Sequence, residues 1–120
     1  MGALKDRVKE AEKLNQQMFA LVKQATPDAR IEVVRLRGQL SRTIVEILKE
    51  RSSEPGLQDD PAKAQAFDRL FRDMRTALSG HQGTWQSSDI ARDPGGYTRS
   101  AAEVHRLQED FFGWCRNNLT

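Results

Sequence analysis

The sequence predicts an all-α protein, specifically a single-domain antiparallel up-down four-helix bundle with a long loop between helices 3 and 4. Apolar residues recur at the helical spacings of three and four over long stretches. A capping residue followed by proline, which typically starts a helix, precedes two of these stretches. The 120 residues are 38% hydrophobic and 30% charged, as is usual for one soluble globular domain. We expect one domain over residues 1–120, with helices near residues 3–25, 27–52, 61–82 and 98–118.

The first predicted helix carries apolar residues at alternating spacings of four and three, as in coiled-coil packing. These positions are Leu4, Val8, Ala11, Asn15, Met18, Val22 and Ala25. Asn15 interrupts the pattern, either as a polar residue tolerated near the helix edge or as a group whose hydrogen bond fixes the register. Leu14, Phe19 and Leu21 add apolar surface beside it, which is more than one core face uses. We therefore expect a homodimer formed through helix 1, or through helices 1 and 2.

The second predicted helix has the densest apolar periodicity of the chain. Thr26 is suited to cap it and Pro27 to occupy its first position. Its apolar face comprises Val33, Leu36, Leu40, Ile44, Ile47 and Leu48, widened by Val34 and Val45. Arg37 lies within this face, at about 40° from Val33. Either its stem packs while its guanidinium reaches solvent, or the guanidinium is buried against a carboxylate or an anion.

The third predicted helix begins at Asp60–Pro61, which repeats the cap-then-proline pattern. Before it, Glu54, Pro55 and Gly56 have the composition of a turn. Its apolar stripe comprises Phe67, Leu70, Phe71, Met74, Ala77 and Leu78. These spacings predict a helix with one buried face.

Residues 79–100 are rich in glycine, serine and aspartate, which predicts a long loop between helices 3 and 4. Such loops are often functional in a compact bundle. This one also holds Trp85, Ile90 and Tyr97, too much apolar surface for a solvated linker. We expect it to fold over one end of the bundle, with Trp85 mostly buried.

The fourth predicted helix has two candidate starts. Ser100 and Glu103 form a capping box, whereas Asp93–Pro94 is an alternative signal further upstream. The helix presents one apolar face, made of Ala101, Val104, Leu107, Phe111 and Cys115. We expect it to complete the bundle.

The charge and cysteine content narrow the classes of function. The formal net charge is only +2, with basic residues interspersed among acidic ones, whereas nucleic-acid binders usually show a concentrated basic stripe. The longest purely apolar run, Met18 to Val22, is far shorter than the about 20 residues that span a bilayer. One cysteine allows no internal disulfide, which favours a reducing compartment. We expect a cytoplasmic protein that binds neither membranes nor nucleic acid.

The motifs of catalysis and metal binding are missing from the sequence. A metal site needs three or four converging ligands, and the two histidines are not part of Glu-x-x-His pairs. His105 and Cys115 are about 15 Å apart along one helix, too far to share an ion. The serines lack a recognisable nucleophile elbow with a base. We therefore expect no enzyme activity, no metal and no cofactor.

The favoured hypothesis is a helical interaction module, an adaptor or chaperone-like binder of another protein. The alternative is a sensor of a small ligand or anion, with a pocket under the 79–100 loop. A cation, an imidazole and an aromatic wall around a small anion are typical of such a pocket. Its predicted lining is Arg37, His81, Trp85, Arg92 and Tyr97.

A third hypothesis is a histidine phosphotransfer module, acting through His81 or His105. The predicted architecture is similar to that of the histidine phosphotransfer domains, which are four-helix bundles of this size. Those domains usually carry Lys and Gly three and four residues after the phosphorylated histidine. Thr84 and Trp85 stand at those positions after His81, and the positions after His105 differ as well. The resemblance therefore concerns architecture only.

Overall fold

A computed structural model describes residues 2–22, 24, 26–85 and 87–119 of the chain. The prediction of an all-α protein is confirmed, because the described residues are mainly helical and include no strand. The helices are α1 (Ala3–Val22), α2 (Pro27–Arg51), α3 (Pro55–Gln58), α4 (Pro61–Thr84), α5 (Ser87–Arg92) and α6 (Pro94–Asn118).

Proline and a capping side chain together define the starts of three long helices. Thr26, Asp60 and Asp93 each accept a hydrogen bond from the backbone N–H three residues on, at 3.1, 3.2 and 3.0 Å. Each of these residues occupies the N-cap position, and a proline follows it in the first turn of α2, α4 and α6. The side chains thus satisfy amides that have no partner within the helix. The predicted starts of α2 and α4 are confirmed.

The segment 79–100 differs from the expected long loop, since most of it is helical. α4 continues to Thr84, α5 follows, and α6 begins at Pro94 rather than near residue 98. The cap at Asp93 starts α6 upstream of the capping box at Ser100, which lies within the helix. Glycines inside a helix cost roughly 0.5–1 kcal/mol each relative to alanine, which packing of the helix can offset.

Each long helix packs against at least one other long helix. α1 contacts α2, α4 contacts α6, and α1 also contacts α6, within an envelope of 48 × 20 × 20 Å. Ion pairs join the helices at the surface: Arg51 binds Asp68 through two hydrogen bonds of 2.8 Å, and Arg116 pairs with Glu12. None of the described helices has the length and apolar character needed to cross a membrane.

The core draws apolar side chains from all four long helices and from the short α3. Phe67, Phe71 and Phe111 form its aromatic centre, with ring centroids 5.3–5.6 Å apart. The centres of the predicted apolar faces are confirmed by the burial of their residues. The buried residues from these faces are Leu4, Val8, Ala11, Leu36, Leu40, Ile44, Ile47, Phe67, Phe71, Met74, Leu78, Val104, Phe111 and Cys115.

The apolar face of α2 is narrower than the sequence predicted. Val34, Val45 and Leu48 are 57%, 51% and 38% exposed, so the expectation that they join the core was wrong. The reason is that α2 has α1 as its main neighbour, and this contact covers only the arc around Leu36 and Leu40. Part of the apolar surface of α2 therefore remains in water.

The surplus apolar residues of α1 are used within the chain. Leu14 is buried, Leu21 packs against the core, and Phe19 stacks on His105 with the ring centroids 4.1 Å apart. The apolar surface that suggested a homodimer through helix 1 is therefore used in contacts within the chain. The homodimer stays a prediction. The side chain of Val22, together with Ala25, lies outside the described residues.

Candidate functional site

A small cavity lined by both apolar and polar side chains lies where α1, α2, α4 and α6 converge. Its volume is about 40 Å³. We call it the inner cavity. Apolar side chains such as Met18, Leu78 and Val104 form part of its wall. Its polar lining is unusual for a core and comprises Asn15, Arg37, His81, Gln82, His105 and Gln108.

His81 is held in the core by contacts from α6. The ring is 9% exposed, its Nδ1 atom lies 2.7 Å from Ser100 Oγ, and its centroid lies 5.1 Å from that of Tyr97. Burial, and then the positive charge of Arg37, lower the pKa of His81 below its usual value. Both effects favour the neutral imidazole, which is the form that hydrogen bonds with Ser100 here.

Asn15 and His105 also contribute buried polar atoms to the inner cavity. The Nδ2 atom of Asn15 and the Nδ1 atom of His105 are buried, and neither forms a hydrogen bond to a residue in the described part of the chain. Asn15 is 5% exposed, so it is not at the helix edge, and none of the described residues forms a register-fixing hydrogen bond with its Nδ2 atom. A buried, unpaired polar group costs about 1–3 kcal/mol unless a water or ligand satisfies it.

A larger groove adjoins the inner cavity between α2 and α6. Its volume is about 560 Å³. We call it the α2–α6 groove. The lining is mostly apolar and includes Phe19, Leu21, Val33, Val34, Ile90, Ala91, Pro94, Tyr97, Ala101 and Ala102. Arg30 and Arg37 are the charged residues on its wall. Phe19, Arg37, Tyr97 and Ala101 line both spaces, so the groove leads to the polar interior.

Three of the five residues predicted to line a pocket meet at this place. Arg37, His81 and Tyr97 line the inner cavity, and Arg37 and Tyr97 also line the groove. Trp85 lies behind Tyr97, with the ring centroids 5.9 Å apart, and borders neither space. Arg92 is exposed and pairs with Asp89. The site therefore lies between helices rather than under a loop.

Sequence reasoning missed the other polar members of the site. Asn15 was recognised as an interruption of an apolar face, which is the signal that marks its inward position. Gln108 falls between Leu107 and Phe111 on α6 and is only 3% exposed. Its burial depends on how α6 is rotated against α4, and no local pattern reveals that rotation.

α2 also carries an exposed apolar stripe on its outer side. Ile31, Val34, Val45 and Leu48 are the large apolar residues found exposed in the described part of the chain, and Ile31 is 70% exposed. With the exposed residues Gly38 and Ser41 between them, they recur at spacings of three and four. We call Ile31, Val34, Gly38, Ser41, Val45 and Leu48 the outer stripe.

Cations border the outer stripe on both sides. By helical spacing, Arg35, Arg42 and Lys49 lie along one side, and Arg30 and Arg37 lie along the other. Arg35 also pairs with Glu32 at the surface. The stripe is thus an apolar surface between two basic rows.

The described residues contain no group of three or more histidine, cysteine, aspartate or glutamate side chains placed to hold a metal ion. Cys115 is buried, and burial, followed by the charge of Glu12, raises the pKa of its thiol to about 12. Such a thiol is poorly suited to act as a nucleophile. The rings of both histidines pack against other side chains, which gives no support to the phosphotransfer hypothesis.

Comparison of the chain with models of known protein families, with characterised proteins and with solved structures finds no match. We therefore infer a function from the groove, the inner cavity and the outer stripe.

Proposed function

We propose that this protein is a non-enzymatic helical interaction module, an adaptor or chaperone-like binder that docks an acidic amphipathic helix on the outer stripe of α2. One observation carries the proposal: the exposed apolar residues of α2 recur at spacings of three and four. This is the spacing by which one helix packs against another. At about 1.5 Å per residue, the stripe from Ile31 to Leu48 is about 26 Å long, enough for several turns of a partner helix.

The charges beside the stripe support an acidic partner. In paired helices, the residues that flank the apolar positions select the partner by charge. A second copy of this chain would bring the basic rows of two α2 helices together, which opposes association. A helix with glutamate or aspartate beside its apolar face would instead pair with Arg35, Arg42 and Lys49.

The middle of the outer stripe supports a helix rather than a membrane surface. Gly38 and Ser41 are small residues there, so less side-chain volume stands between Val34 and Val45, and a Cβ atom built on Gly38 meets no atom nearer than Arg42 Nη1 at 3.9 Å. A large apolar side chain of a partner helix fits there as a knob fits a hole. Helices that lie on membranes usually present Trp, Phe and Leu instead.

The test uses a labelled three-heptad peptide with leucine at the two apolar positions of each heptad and glutamate beside them. A second peptide replaces every glutamate by lysine. Fluorescence anisotropy should show that the acidic peptide binds and the basic peptide does not. Val34→Asp and Val45→Asp should each weaken binding by about tenfold or more, because each places a charge in the apolar interface.

A matched pair of charge reversals isolates the basic rows. Arg42→Glu should weaken binding of the acidic peptide, whereas Lys13→Glu makes the same charge change on an exposed part of α1 and should not. Equal binding of both peptides, or equal effects of these two variants, would contradict the proposal. Sedimentation with phosphatidylglycerol vesicles in preference to peptide binding would indicate a membrane surface instead.

We also propose that the four long helices form one antiparallel up-down four-helix bundle over residues 1–120, acting in the cytoplasm. The opposite directions of the contacting helices support the bundle. The single buried thiol of Cys115 is compatible with a reducing compartment. Limited proteolysis should leave one resistant core, and two separately resistant fragments would contradict a single domain.

A further inference from the structure

We propose that the α2–α6 groove and the inner cavity together bind an amphipathic carboxylate, a small organic acid with an apolar chain. The apolar chain would lie in the groove, and the carboxylate would bind Arg37 at the entrance of the inner cavity. This site is distinct from the outer stripe, although Val34 borders both. The inference does not depend on the proposed docking of a helix.

The groove suits the apolar part of such a ligand. Its volume of about 560 Å³ falls within the range of about 300–1,000 Å³ typical of small-molecule sites. Val33, Ile90 and Ala101 form its apolar wall. Small-molecule sites usually combine a wall of this kind with a few polar groups that orient the ligand.

Arg37 supplies the charge that the carboxylate needs. It lines both the groove and the inner cavity and is partly buried. No ion pair or side-chain hydrogen bond to a residue in the described ranges is found for it. A planar guanidinium binds a carboxylate through two parallel hydrogen bonds.

The inner cavity adds a second, independent indication of a ligand with acceptor atoms. Asn15 lines it, is 5% exposed, and has an Nδ2 donor without a partner in the described part of the chain. The volume of about 40 Å³ exceeds the roughly 10–15 Å³ that a single water requires. A carboxylate oxygen placed there would accept hydrogen bonds from Asn15 and Arg37, which are both donors.

Isothermal titration calorimetry with three probes of one chain length tests the inference. Octanoate is the carboxylate, 1-octanol the neutral analogue and octylammonium the cation. We expect octanoate to bind about tenfold or more tightly than octanol, because a charge-assisted hydrogen bond is about twice as strong as a neutral one. Octylammonium should bind most weakly, because its charge repels Arg37.

Two variants of α2 separate the site from general electrostatics. Arg37→Gln should reduce the affinity for octanoate to that for octanol, whereas Arg42→Gln, which removes the same charge outside the groove, should leave it unchanged. Ala101→Phe should weaken binding of all three probes, because the new ring fills the groove. Circular dichroism establishes that each variant is folded.

Three results would overturn the inference. They are the absence of octanoate binding to the folded protein, equal affinities for octanoate and octanol, and an Arg37→Gln variant that binds octanoate as the native protein does. The outcome is separable from that of the helix-docking proposal. Arg42→Gln should weaken binding of the acidic peptide but not of octanoate, and Ala101→Phe should weaken binding of the octyl probes but not of the peptide.

Discussion

Gly96 gives a sharp test of the way α6 begins. A Cβ atom built on it would lie 2.8 Å from Trp85 Cη2 and 2.9 Å from Asp93 Cγ, closer than real Cβ atoms approach other atoms. In Gly96→Ala, both side chains must therefore move. Loss of the cap costs about 0.5–2 kcal/mol, and crowding of a packed side chain costs about 1–3 kcal/mol. The better helix propensity of alanine stabilises the helix by up to about 1 kcal/mol. We therefore expect the free energy of unfolding to fall by about 1–3 kcal/mol in total.

Gly95→Ala is the matched control on the neighbouring residue. Its new Cβ atom would meet the flexible end of Arg99, with Nη1 at 3.4 Å. We expect no loss of stability, or a gain of up to about 1 kcal/mol. Urea unfolding followed by far-ultraviolet circular dichroism measures both variants. Equal stability of the two variants would refute the reasoning, and so would an undiminished cost of Gly96→Ala in a Trp85→Ala background.

Three further predictions concern buried polar and titratable groups. Asn15→Leu should raise the free energy of unfolding by about 1–2 kcal/mol in urea melts, because it removes an unpaired buried donor. The pKa of His81 is lowered on folding, so the unfolded chain takes up a proton more readily as the pH falls below about 6.5. Urea midpoints should therefore be highest above that pH and fall below it, and His81→Gln should flatten this dependence. Iodoacetamide should alkylate Cys115 far more slowly in the native protein than in urea, as mass spectrometry would measure, because the pKa of the thiol is about 12.

Structural features that depend on a few neighbouring residues, such as helix starts, could be predicted. Thr26–Pro27 and Asp60–Pro61 each combine a side-chain cap with a fixed backbone angle, and neither depends on distant residues. The start of α6 was ambiguous because Asp93–Pro94 competes with a capping box at Ser100. Packing of Tyr97 on His81 requires the earlier start, because Tyr97 must already be helical to lie one turn before Ser100 on the same helix.

Features that depend on which helices touch could not be predicted. Val33 and Val34 are neighbours on one helix, yet Val33 is buried and Val34 is exposed. Periodicity locates the centre of an apolar face but not its edges, which depend on how closely a second helix approaches. The same limit applies to the pocket: Arg37 on α2 and His81 on α4 meet at the inner cavity, although 44 positions separate them in the sequence. Arg92 was expected there because of its position in the segment 79–100.

The contact of α1 with α6 has a consequence for folding. Pairs such as α1 with α2 join segments close in sequence and lose little entropy when their intervening chain is closed. Docking α1 on α6 instead encloses nearly the whole polypeptide, so we expect it to form late and to set the folding rate. Phe19 stacks on His105 and Glu12 pairs with Arg116, so the start of α1 and the end of α6 lie at the same end of the molecule. A short peptide linker between these two ends would remove most of the entropy cost of that closure and should accelerate folding.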